Sequence, residues 1–122
     1  MTSILLIDDD TSFRTSLKKL LEREGYEVTE GVDGHEGFAL IQKSHYDVVI
    51  LDILMPNKDG IELINDLRRI QSKIKIIAIS GGGQIRAEDH LQSAKILGAD
   101  RVIKKPFSSQ EIFGAINSVS TH

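Results

Sequence analysis

The sequence predicts an α/β fold: a doubly wound sandwich with a five-stranded parallel sheet covered by helices on both faces. Short apolar runs alternate with segments of helical period five times along the chain. Three of those runs, "ILLI", "VVIL" and "IKIIAI", are apolar nearly end to end, as expected for parallel strands buried on both faces. Each is followed by a helical segment that can cross back over the sheet, and right-handed crossovers then generate the sandwich. A length of 122 residues with 40% apolar and 27% charged side chains suits one globular domain with one core, so 1–122 is read as a single domain.

The first strand spans 3–8, where Ile4 to Ile7 run directly into Asp8, Asp9 and Asp10. Residues 11–24 form a helix, because Phe13, Leu17, Leu20 and Leu21 share one face. Asp10 or Thr11 can cap its start, and Gly25 is placed to end it. A shorter and more polar strand, 26–31, suits a sheet edge. Asp33 caps the next helix, 34–44. "YDVVILD", 46–52, is the second deeply buried strand. After the loop "ILMPNKDG", in which Gly60 supports the last turn, a helix over 61–70 points Ile61, Ile64 and Leu67 inward. Strands at 74–80 and 100–104 flank a helix at 86–97 that Gly98 closes. The last helix, 108–119, opens on a capping box of Ser108 and Glu111 and buries Ile112, Ala115, Ile116 and Val119.

Composition excludes several functions. The formal net charge is −3 and no basic run stands out, which argues against direct nucleic-acid binding. Without cysteine there is no disulfide, thiolate zinc site or thiol nucleophile. No signal segment or membrane-length apolar run is present, so a cytoplasmic protein is the expectation. His35, His45, His90 and His122 lack metal-ligand spacing and read as surface residues.

Three adjacent carboxylates at the end of a buried strand repel one another and lose solvation. A metal ion, a distant lysine or helix N-terminal dipoles could offset that cost. In doubly wound sheets the ligand site lies beyond the carboxyl ends of the strands. Asp8 and Asp9, Asp52, Ser80, and Lys105 beside Pro106 all fall at such ends. Clustered carboxylates with room for water and phosphate oxygens suit Mg²⁺ better than Ca²⁺. The acidic loop pattern of calcium sites is missing. A carboxylate beside such an ion is a candidate nucleophile toward phosphorus, with a lysine and a serine to hold other oxygens.

Four pieces, "LLIDDD", "VVILDILMPNKDG", "IIAIS" and "IKKPF", occur in this order at matching spacing. Together the chain resembles, over essentially its full length, a response-regulator receiver domain of two-component signalling. The resemblance implies a flavodoxin-like sheet of order 2-1-3-4-5 and no output domain within 1–122. It implies that Asp52 is the phosphoacceptor, and that Asp8, Asp9, Asp52 and the backbone carbonyl of Leu54 bind Mg²⁺, with Mn²⁺ as second candidate. Ser80 would be the switch hydroxyl, and Lys105, joined to Pro106 by a cis bond, would contact the phosphoryl group. Lys105 is chosen over Lys104 because it directly precedes Pro106. Asp10 has no family role and reads as a cap or a solvated charge. The implied partners are a sensor histidine kinase or histidine phosphotransfer protein and a downstream protein target, met by the surface of the last two helices and the fifth strand. Membranes are not among them.

The chain departs from the family where Val102 replaces a switch aromatic, so output needs another route, such as loop ordering. Gly81, Gly82 and Gly83 fit a loop that orders with phosphate. Leu54 and Gly82 offer no polar side chain to orient a hydrolytic water, which implies a long-lived phosphoryl state. Two alternatives compete. "DDDTS" nearly fits the motif of haloacid-dehalogenase-like phosphatases, with Asp8 as nucleophile, Asp10 as acid/base and Ser12 in place of threonine. A binding module independent of phosphate is the other.

Overall fold

The computed structural model describes residues 2–53, 60–70, 73–80 and 98–120. In chain order its elements are β1 (Ser3–Ile7), α1 (Thr11–Arg23), β2 (Glu27–Gly31), α2 (Gly34–Lys43), β3 (Val48–Asp52), α3 (Gly60–Ile70), β4 (Lys75–Ser80), β5 (Arg101–Lys104) and α4 (Ser109–Ser120). The helix expected at 86–97 lies outside the described residues, as do Gly81–Gly83, His90 and His122.

All strand pairs are parallel, and the sheet order is β2-β1-β3-β4-β5, as expected. Alternation along the strands divides the core in two. Leu5, Ile7, Val49, Leu51, Ile76 and Ala78 pack toward Ile41 of α2 and Leu63, Ile64 and Leu67 of α3. Ile4, Leu6, Val48, Ile50, Ile77 and Ile79 face Leu17 and Leu21 of α1 and Ile112 and Ile116 of α4. Successive residues point to opposite faces, and both faces are covered, which is why these strands show no polar alternation. Leu63 was absent from the expected inner face of α3, yet it is fully buried.

The caps agree with the sequence. The Asp10 carboxylate accepts from the Phe13 N–H and the Asp33 carboxylate from the Glu36 N–H, satisfying amides that open α1 and α2. Ser108 and Glu111 form the reciprocal capping box at 3.0 and 3.1 Å. Gly25 follows α1 at φ +94°, a left-handed conformation that suits glycine.

Register brings distant residues to one rim. Ile7 pairs with Leu51, so Asp8 leaves β1 beside Asp52. Asp52 pairs with Ile79, one residue before Ser80. Ser80 pairs with Lys104, one residue before Lys105. Neighbouring strands lie about 4.8 Å apart. Consecutive strand ends therefore form a short staircase of acid, acid, hydroxyl and amine.

Candidate functional site

Asp8, Asp9 and Asp52 each offer a carboxylate oxygen, and these oxygens lie within 4.8 Å of one another. Asp8 and Asp52 are buried, whereas Asp9 is exposed. The Lys105 ammonium stands 3.5 Å from Asp8 Oδ2 and 3.4 Å from Asp52 Oδ2. Lys104 is exposed and Lys105 half-buried. The Lys105–Pro106 bond is cis, as expected. Ser80 is fully buried, and its carbonyl accepts from the Lys105 N–H at 2.8 Å, tying the ends of β4 and β5 together. Leu54 lies outside the described residues.

Burial pushes the Asp8 carboxyl above the ordinary carboxylate range. The Asp10 N–H and the Lys105 charge oppose that rise, while neighbouring Asp9 adds to it. The Asp10 N–H donates to Asp8 Oδ1 at 2.9 Å, so the turn after β1 grips the acid it follows. Asp10, the acid/base of the phosphatase alternative, is thus exposed and engaged in capping α1.

The turn into α3 is equally close. The Gly60 N–H donates to the Ile53 carbonyl at 2.8 Å, and the Ile53 N–H donates to the Ile79 carbonyl at 2.9 Å. A Cβ on Gly60 would stand 2.4 Å from the Asp52 carbonyl oxygen. Only glycine lets α3 begin directly against the strand end that carries Asp52.

Two groups at the site were not foreseen from sequence. Arg14 is buried in α1, where its guanidinium donates to the Asp8 carbonyl at 2.6 Å and to Glu30 of β2 at 3.0 Å. Burial raises the Glu30 carboxyl, but Arg14 and Lys18 outweigh it and hold the group below the ordinary range. The signal was present: Arg14, Leu17 and Leu21 share the buried face of α1. Arg14→Leu is expected to cost about 1–3 kcal/mol, because a buried carbonyl loses its donor. Arg14→Lys should recover little, since one ammonium cannot span both acceptors. An unfolding free energy from urea titration within about 0.5 kcal/mol of wild type, the range of an ordinary surface change, would contradict this. The second group is Phe13, read as core; it is half-buried at the rim, with Lys105 Nζ 3.7 Å from its ring centroid.

A parallel 2-1-3-4-5 sandwich with its polar side chains gathered on the carboxyl rim defines a doubly wound α/β domain of the flavodoxin-like class. Residues 4–117 match the response regulator receiver domain family, and the chain belongs to that family of two-component signalling domains. The transcriptional regulatory protein CpxR of Klebsiella pneumoniae is 34% identical over 119 residues, 98% of this chain and 49% of that protein. Sporulation initiation phosphotransferase F of Bacillus subtilis is 32% identical over 113 residues, 93% of this chain and 89% of that protein. Among solved structures, a response regulator receiver domain protein from Clostridium thermocellum superposes with a TM-score of 0.91 at 30% identity, covering 98% of this chain and 94% of that one. The chain spans about half the length of the transcriptional regulators it matches. No helix among the described residues is long and apolar enough to cross a membrane.

Proposed function

We propose that this receiver domain, read as one unit over 1–122, takes a phosphoryl group onto Asp52 from a phosphohistidine donor. A carboxylate oxygen of Asp52 forms the new bond to phosphorus as the P–N bond breaks. The departing imidazole keeps the electron pair and takes a proton from solvent. Asp8, Asp9 and Asp52, with the Leu54 carbonyl, would hold Mg²⁺ or Mn²⁺; the side chains are hard oxygen donors close enough to share one ion. When bound, that ion neutralises charge on the phosphoryl oxygens. Lys105 holds one phosphoryl oxygen and the Ser80 hydroxyl another. This transfer and the later hydrolysis of the acyl phosphate are the only chemistry; the output is binding.

The donor is a sensor histidine kinase or a histidine phosphotransfer protein in the cytoplasm. Added charge at Asp52 shifts a two-state equilibrium and alters the surface around β5 and α4, which meets a protein target rather than nucleic acid. With Val102 in place of an aromatic, the change travels by backbone and loop ordering.

The supporting observation is the placement of Lys105 Nζ between Asp8 and Asp52, 3.5 and 3.4 Å away, beside the three-acid cluster. The test is intact-mass measurement after treatment with a small acyl phosphodonor and Mg²⁺. Wild type should gain one phosphoryl group and Asp52→Asn none. Equal gain in both would overturn the reading. Unchanged partner binding and output in Asp52→Asn would favour the phosphate-independent module.

A further inference from the structure

We propose that Phe13 is a positioning residue for Lys105, its ring face holding the ammonium against Asp8 and Asp52. This inference rests on the phosphoacceptor reading of the same site. Lys105 Nζ lies 3.5 Å from Asp8 and 3.4 Å from Asp52, both long for charge-assisted hydrogen bonds. The two carboxylates therefore attract the amine without fixing its place. On another side the amine meets the Phe13 ring, 3.7 Å from its centroid, well inside the reach of a cation–π contact. A lysine stem has many rotamers, and a wall on that side removes those that swing the amine to solvent.

The ring is itself held. Phe107, two residues beyond Lys105, packs edge-on against it with centroids 6.0 Å apart and planes at 89°. The Phe13 N–H donates to the Asp10 carboxylate at 3.1 Å, and the Asp10 N–H donates to Asp8 at 2.9 Å. The backbone that carries the ring is thus linked to the acid, and the ring itself packs against the segment carrying the amine. Aliphatic packing would place the lysine stem beside the ring; it would not require the ammonium to face the π cloud.

The test uses the full chain with mono-, di- and trifluorinated phenylalanine at position 13. Fluorination drains the ring face while nearly preserving its shape. Two readouts are followed: the hydrogen-exchange protection of the ¹⁵N-labelled Lys105 ammonium without phosphodonor, and the rate of phosphorylation of Asp52 by a small acyl phosphodonor with Mg²⁺. Both should fall stepwise with each fluorine, the rate by roughly two- to fivefold in all, the size of a partly exposed cation–π contact. Phe13→Leu should match the trifluoro protein, and Phe13→Trp should retain the wild-type rate. Thermal midpoints should fall by no more than a few degrees across the fluorinated series, as loss of so weak a contact requires, so the fold itself stays intact. Flat protection and rates across that series would overturn the proposal. If wild type accepts no phosphoryl group at all, the receiver chemistry fails, and the ammonium readout alone still decides the role of Phe13.

Discussion

Gly60→Ala is expected to destabilise the fold by about 2–4 kcal/mol, the upper range for overpacking and backbone strain. The added Cβ would lie 2.4 Å from the Asp52 carbonyl oxygen, 2.6 Å from Ile53 Cα and 3.0 Å from the Asp52 carbonyl carbon. All three are backbone atoms, so no rotamer change relieves the overlap. Either α3 moves away from the sheet or the end of β3 moves. The first opens the contacts of buried Leu63 and Ile64, and the second shifts the Asp52 carboxylate from its neighbours. Gly114→Ala is the control: it lies in α4 with nothing within 4 Å of the new methyl. That change should stabilise by about 0.4–1 kcal/mol, since alanine has less unfolded-state freedom to lose. Urea unfolding of both proteins checks the pair. A Gly60→Ala midpoint equal to wild type would show that the approach of α3 to β3 is looser than these distances.

Asp8→Asn is expected to raise stability at neutral pH while weakening Mg²⁺ binding. Asp8 is almost fully buried, and burial is the main reason its carboxyl holds a proton more tightly than usual. A raised folded pKa means the folded state binds the proton better than the unfolded chain does. The stability tied to that proton is fully present below the unfolded value of about 3.9. It is lost as pH rises through the raised folded value, and the cost is complete at neutral pH. Asparagine has no such transition. It keeps an oxygen for the Asp10 N–H, and Lys105 keeps Asp52 as partner. In chelator-treated buffer the two proteins should differ least near pH 4, with Asp8→Asn ahead by about 0.5–2 kcal/mol at neutral pH, the usual gain from relaxing a functional site. Saturating Mg²⁺ should raise the wild-type midpoint and move the variant much less. A gap that closes as pH rises would contradict the assignment of burial as the dominant effect on Asp8.

Much of the fold was legible because it depends on local chemistry. Apolar runs without alternation marked strands covered on both faces. Asp10, Asp33 and the Ser108–Glu111 pair marked helix starts within a residue of where they occur. The chain positions of Asp8, Asp9, Asp52, Ser80 and Lys105 at strand ends were readable for the same reason. Helix periodicity also tracked buried faces, though in α3 Leu63 joins Ile64 and Leu67 in the core while Ile61, expected inward, is only half-buried.

Sequence by itself determined the strand ends at which these five side chains sit, and hence that acids, a hydroxyl and an amine would share a rim. Only the tertiary structure decided how they meet. Arg14 became a buried link because β2 places Glu30 opposite it and β1 ends with the Asp8 carbonyl in reach. Phe13 became a wall for Lys105 because β5 delivers the amine across the sheet to the first turn of α1. The physical reason is range. Periodicity and caps act over a few residues, whereas the 3.7 Å contact between Lys105 and Phe13 depends on sheet order, register and helix packing acting together.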